Sequence, residues 1–171
     1  NNPPVSFPRA TTVEYQFAAR GSQPAVKMHW YDGNLLPPRP PFLPDDMDLP
    51  NSDGGGGILI GEKGIITYKT YGDDPQIFPA ALAREAESLP KTMARVEGSH
   101  ENNWAQACKG EAQASSPFEY AAALTETMLL GVVALRARGK KLVYDSANMR
   151  FTNNDDLNRF LTREYRAGWT L

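Results

Sequence analysis

The chain has 171 residues, 41% of them hydrophobic and 22% charged, a composition of globular rather than disordered proteins. A chain of this length buries roughly 70% of its unfolded surface, so it needs no metal or disulfide to hold a core. A formal net charge of −2 with both signs scattered presents no basic stripe to nucleic acid or to an anionic membrane.

The single cysteine, Cys108, excludes an intrachain disulfide framework and reads as a small buried helix residue. The two histidines, His29 and His100, stand in no spaced His/Glu pair, so no metal set is expected. The longest mainly apolar run, Met128 to Ala137, is too short to span a bilayer, and no membrane partner is expected. The chain begins at Asn1 without a methionine or a signal-like segment, and we read it as a piece of a longer protein.

From the N-terminus, Thr12 to Ala18 alternates, with Val13, Tyr15 and Phe17 on one face and Thr12, Glu14 and Gln16 on the other. After the turn Gly21 to Pro24, Ala25 to Tyr31 alternates again, with Val26, Met28 and Trp30 together. The pair predicts an antiparallel hairpin with one buried face, closed by the turn signal Asp32-Gly33. His29, on the more polar face with Lys27 and Tyr31, reads as a cross-strand or subunit-contact residue.

Leu35 to Asp53 holds six of the fourteen prolines and predicts a long loop, either functional or packed across a partner. Gly57 to Gly61 and Gly64 to Tyr71 predict a second hairpin around Glu62-Lys63. Residues Asp73 to Val96 read as irregular, with a short helix at Pro79 to Ser88.

The second half turns helical. Ser99 is a fitting N-cap for a helix ending at Gly110, with Trp104, Ala107 and Cys108 on one stripe. Ser116, Pro117 and Glu119 predict the next start as N-cap, first-turn proline and capping-box carboxylate. That helix should run to about Arg138 and stop at Gly139, with Tyr120, Ala121, Leu124, Met128, Val132 and Leu135 among its apolar positions. Gly131, within it, costs about 1 kcal/mol against alanine and therefore marks close backbone packing. Lys141 to Asp145 reads as a strand, and Asp155 to Glu164 as a short helix with Leu157, Phe160 and Leu161 inward. Hairpins followed by helices predict an α+β fold: an open antiparallel sheet with helices on one face and the other face covered by another chain.

Chemistry-bearing groups are few. The run Gly54 to Gly57 fails the dinucleotide spacing and precedes a strand rather than a helix, so it reads as a flexible loop. His100, in the first turn of a helix, admits two readings: a surface residue completing the helix start, or, beside Glu101, Asn102 and Asn103, a neutral imidazole that hydrogen-bonds a polyol or sugar. Glu126, in an otherwise apolar helix, requires a partner, for which Arg136 and Arg150 are the candidates. Arg163 and Arg166 alternate with Tyr165 and Trp169, a pattern suited to docking the C-terminus by stacking. No nucleophile with its base is present, and no acid/base pair.

The ordered strings Ala19-Arg20-Gly21, Pro24-Ala25-Val26-Lys27, Trp30-Tyr31-Asp32-Gly33 and Leu36-Pro37-Pro38-Arg39-Pro40 resemble the C-terminal region of bacterial Gfo/Idh/MocA-type oxidoreductases. Gly98-Ser99-His100, Trp104, Ala107-Cys108-Lys109-Gly110 and Leu124-Thr125-Glu126-Thr127 fit the same group, as do Phe151-Thr152-Asn153 and Glu164-Tyr165-Arg166-Ala167-Gly168-Trp169. The resemblance covers nearly the whole chain.

It implies that residues 1–171 form one C-terminal domain, similar also to that of glyceraldehyde-3-phosphate dehydrogenase-like enzymes, whose N-terminal Rossmann partner lies upstream. Such a domain frames a sugar, polyol or cyclitol and joins subunits through its open sheet face, while NAD or NADP sits on the Rossmann half. The family's catalytic lysine, in a Glu-Lys-Pro motif, and its Asp/His pair have no match: Glu62-Lys63-Gly64 carries glycine for proline and sits in a turn. Catalytic and cofactor-binding residues are therefore expected outside this chain, which alone should be inactive. The substrate-binding candidates within it are His100, Asn103, Tyr31 and Arg39.

Two alternatives stand beside this reading. One is a stand-alone carbohydrate-binding or dimerisation module; the other is part of a relative that uses tightly held NAD to cleave glycosidic bonds. Relatives occur both exported and in the cytoplasm, so the compartment stays open.

Overall fold

Strand-forming residues dominate as far as residue 78 and helix formers beyond it, and the computed structural model, which describes residues 6–49 and 55–169, follows that division. The end of the proline-rich stretch (residues 50–53) and Gly54 lie outside the described residues. Among the described residues seven strands form three small antiparallel sheets, with three α-helices and short 3₁₀ turns, so the chain is mixed α+β. The strands are not joined into one open sheet among the described residues: sheets of two, three and two strands stand separately. A physical reason lies between the first two, where prolines at 37, 38, 40, 41 and 44 lack the N–H a ladder needs.

The chain divides into two compact units, residues 1–12 with 31–95 and residues 13–30 with 96–171.

In the first unit β3 (Gly56–Ile60), β4 (Ile65–Lys69) and β5 (Gln76–Phe78) pair in that order, with Ile60 opposite Ile65 and Ile66 opposite Ile77. The β5 strand falls in a stretch expected to be irregular; three residues are too short for periodicity to declare. Ile65 and Thr67 are buried on one face of β4, and Leu43 from the proline-rich segment is buried too. A short helix, α1 (Ala80–Glu87), follows β5 where helix was expected. Of the glycine run, Gly55 stays outside any strand, but the next two residues are not loop. Gly56 and Gly57 belong to β3, and a Cβ on either would lie 2.3 Å from the Tyr68 carbonyl oxygen or 2.2 Å from the Tyr68 ring. Only glycine lets β3 approach β4 there.

In the second unit β1 (Thr12–Phe17) and β2 (Val26–Tyr31) form the expected hairpin, the reversal closed by the Arg20–Gln23 bridge. Within the first unit, Asp32 accepts hydrogen bonds from the Thr11 N–H and hydroxyl, both at 2.6 Å. Helix α2 (His100–Cys108) starts at Ser99, whose hydroxyl accepts from the Asn102 N–H at 3.2 Å, the cap its sequence predicts. The expected inward stripe of α2 is reversed: Trp104 is 68% exposed and Cys108 is exposed, and the buried residue is Asn103.

Helix α3 (Phe118–Ala134) continues as a 3₁₀ turn to Ala137 and ends in left-handed Arg138 before Gly139. Pro117, not Ser116, is its N-cap, and no side chain closes a capping box. Gly131 is buried as expected, because a Cβ there would lie 2.0 Å from the Tyr15 hydroxyl. The hairpin thus packs its β1 face onto the middle of α3.

The core of this unit is Val133, Ala137, Phe151 and Leu157, with Leu142, Tyr144, Phe160 and Leu161 packed against it. Only Tyr144–Asp145 of the expected last strand pairs, as β6, with β7 (Arg150–Phe151). Upstream one backbone bond remains, from the Thr152 N–H to the Val143 carbonyl at 2.9 Å, and an asparagine does the rest: Asn153 accepts from the Val143 N–H at 2.8 Å and donates to the Lys141 carbonyl at 2.9 Å. Asn158 does the same for Phe151, at 2.7 and 3.1 Å. The final helix is a 3₁₀ segment, Asp155–Phe160, with Leu157 buried and Phe160 and Leu161 half-buried.

Candidate functional site

An open concavity lies wholly in the first unit. A sharp turn after β4 carries it: Tyr71 and Gly72 both take positive φ, and the Lys69 N–H bonds the Asp73 carbonyl at 2.8 Å. This folds Asp74 back onto Lys69, whose ammonium meets the carboxylate at 2.8 Å. The hydrogen bond and charge of Asp74 raise the Lys69 pKa, and the Lys69 bond, helped by Gln76, lowers that of Asp74. Both groups therefore stay charged across the physiological range, and about half of each side chain faces solvent. Gln76 donates its amide N–H to Asp74 at 3.3 Å.

Asp48, Lys69, Asp74, Gln76 and buried Thr67 line the polar side of an open cleft of about 170 Å³; Leu43, Met47 and Phe78 line its apolar side. The proline-rich segment supplies Leu43, Met47 and Asp48, and the Arg39 guanidinium, donating to the Pro44 carbonyl, closes that segment on itself. Acceptors, a cation and an amide above an aliphatic and aromatic floor can receive a small polyhydroxylated molecule. None of the cleft residues was singled out by sequence reasoning. The available signal was Gly72-Asp73-Asp74-Pro75, a turn string placed directly after a strand.

The four sequence candidates divide between the units. Tyr31, half-buried, and Arg39, exposed, belong to the first; His100 and Asn103 belong to the second. His100 is the exposed first residue of α2. Its neighbour Glu101 is held below the ordinary 4.5, chiefly by the hydrogen bond of its own N–H and then by the Ser99 hydroxyl. Asn103 is used structurally: it donates to the Gln113 carbonyl at 3.1 Å and accepts from the Ser115 N–H at 2.8 Å, clamping the loop ahead of α3.

Other expected partners are exchanged. The Glu126 carboxylate accepts from the Tyr144 hydroxyl at 2.5 Å instead of meeting Arg136 or Arg150. Burial, then that bond, pushes the Tyr144 pKa up to about 12. Arg150 pairs with Asp155 at 3.4 Å, and Arg136 lies over the Phe160 ring at 4.5 Å. His29 faces Glu14 across the hairpin at 3.8 Å, and a hydrogen bond from Gln16 is the main reason the Glu14 pKa is lowered. At the C-terminus Arg163 stacks on Tyr165 and Arg166 on Trp169, so the arginines cover rings of their own segment.

Among the described residues no three His, Cys, Asp or Glu side chains gather as a metal set. The described glycines before Ile58 do not fit a dinucleotide either. They enter a strand against Tyr68, with no helix N-terminus to receive a pyrophosphate. No protein-family model matches the chain, and no curated protein does.

Proposed function

We propose that the chain frames the substrate of an NAD(P)-dependent oxidoreductase that acts on a sugar, polyol or cyclitol, and helps to join its subunits. The observation that carries this reading is the cleft over β4 and β5, where Asp48, Lys69, Asp74 and Gln76 converge above Leu43 and Phe78. A polyol offers hydroxyls that both donate and accept, and its C–H faces lie on an apolar floor. The α+β architecture is compatible with this reading, and the ordered strings that resemble the C-terminal region of Gfo/Idh/MocA-type enzymes are what suggest it.

In this scheme the chain binds and orients. Carboxylates of Asp48 and Asp74 accept from substrate hydroxyls, while Lys69 and Gln76 donate. The redox chemistry belongs to NAD(P) held by a Rossmann partner, and no residue of this chain is given a proton-transfer role.

The test is NMR titration of the full chain with myo-inositol and with glucose, in separate arms. Shifts should map to Lys69, Asp74 and Gln76, and Lys69→Met should abolish them. No shifts with either ligand at 50 mM, a concentration chosen to reveal even a weak site with a Kd of order 1 mM, would sink the reading.

Because the cleft is built by one unit alone, a stand-alone carbohydrate-binding module is the second reading. The reading frame upstream separates the two: a strand–GxGxxG–helix unit supports the oxidoreductase, and a start codon close to Asn1 supports the module.

A further inference from the structure

The cleft over β4 and β5 is unevenly charged. Lys69 is the single cation in its lining, and Asp74 already holds that ammonium at 2.8 Å. Asp74 is the main reason the Lys69 pKa is raised, and the charge of Asp73 adds to it. Asp48, which the proline-rich segment brings to the cleft, has no ion-pair partner among the described residues. The lining thus sets two carboxylates against one ammonium, and a negative charge is left uncompensated.

Groups beyond the lining do not restore the balance. Asp45 and Asp46 precede Asp48 in the same segment, and the cation of that segment, Arg39, donates to the Pro44 carbonyl. Taken together, Arg39 and Lys69 stand against Asp45, Asp46, Asp48, Asp73 and Asp74. A second feature also points to a ligand. Thr67 is 1% exposed, lines the cleft, and its hydroxyl has no hydrogen-bond partner among the described residues, so a buried polar group opens into the same space.

Resting on the reading of this cleft as a polyol site, we propose that its ligand is an amino sugar or aminocyclitol, whose protonated amine is received by the Asp48 carboxylate. A neutral polyol satisfies the donors and acceptors but leaves Asp48 uncompensated. A uronate or sugar phosphate brings its own charge up against Asp48 and Asp74, while Lys69 is engaged by Asp74. A primary ammonium carries three donors, enough for Asp48 and the Thr67 hydroxyl together, and its bond to a carboxylate is charge-assisted. The other hydroxyls are left to Lys69, Asp74 and Gln76, and the C–H face to Leu43 and Phe78. Side chains here are about half open to solvent, so the preference is that of an exposed ion pair, roughly 5-fold in affinity.

The test is NMR titration of the full chain at about pH 6, where an alkylamine is protonated, with glucosamine, N-acetylglucosamine, glucose and glucuronate in separate arms. Glucosamine should shift Lys69, Asp74 and Gln76 with a Kd roughly 5-fold below that of glucose. N-acetylglucosamine, which keeps the nitrogen and loses the charge, should fall to the level of glucose or below, and glucuronate should be the weakest. Asp48→Asn, at an exposed position, should weaken glucosamine roughly 5-fold more than glucose, and high salt should narrow the same gap in the wild type. Glucose bound as tightly as glucosamine, glucuronate bound as tightly as glucose, or a preference that survives Asp48→Asn would each overturn the assignment and leave the polyol reading in place. Shifts with none of these sugars nor with myo-inositol would overturn the polyol reading, and this assignment with it.

Discussion

Replacing Gly131 by alanine sets two opposed effects against each other at one buried position. Alanine in a helix interior is favoured over glycine by about 1 kcal/mol, so in an exposed helix the change stabilises. Here the new Cβ would stand 2.0 Å from the Tyr15 hydroxyl oxygen and 3.1 Å from its Cζ. Relief requires the Tyr15 ring to swing away from α3, an overpacking cost of about 1–3 kcal/mol. The net expectation for Gly131→Ala is a loss of roughly 0–2 kcal/mol, despite the better helix former.

Tyr15→Phe removes the atom at 2.0 Å and leaves the contact at 3.1 Å, which a shift of a few tenths of an ångström relieves. The double variant should then be more stable than the sum of the single ones by ~1–2 kcal/mol, a coupling measurable in a double-mutant cycle of urea unfolding at constant m-value. If Gly131→Ala stabilises by about 1 kcal/mol equally in both backgrounds, the hairpin does not press on α3 at this point and the reasoning is wrong.

Two further expectations concern polar groups. A Tyr144 hydroxyl raised from 10.0 to about 12 holds its proton more tightly when folded, so its contribution is complete below pH 10 and is lost as pH rises through 12. Linkage sets an upper bound of roughly 3 kcal/mol, which solvent screening of a half-buried group brings to ~1 kcal/mol. Stability of the wild type should thus fall between pH 10 and 12 by that amount more than stability of Tyr144→Phe; parallel curves would refute the contact with Glu126. Asn103→Ala deletes two hydrogen bonds and leaves the Gln113 carbonyl and Ser115 N–H to find water, at a cost of about 2 kcal/mol. Hydrogen exchange should quicken at Ser115 first, and an unchanged rate there would show that the loop holds without the clamp.

Much of the local structure was legible because it depends on neighbours in sequence. Alternation in Thr12–Phe17 and Val26–Tyr31 is a period of two, and Ser99 ahead of the acidic turn of α2 is a cap; both formed as read. Gly131 was legible for another reason, since a glycine inside a good helix is tolerated only where something lies close. The candidate cleft was not legible. It joins Asp48, Lys69 and Asp74 through a proline-rich segment and a positive-φ turn, and neither leaves a periodic trace.

By itself the sequence determined the longer strands and helices, the α+β class, and the spacing of the apolar positions on α3, but not the short strands β5 and β7. These follow from rotamer, capping and periodicity effects that act within a few residues. Tertiary structure alone decided which side of α3 is covered, because Glu126 meets Tyr144 and Gly131 meets Tyr15 only once the hairpin and β6 dock. It also decided that Asn103, not Trp104, faces inward. A buried asparagine satisfied by two backbone groups costs little, whereas its neighbours' apolar character says nothing of where those two backbone groups will be.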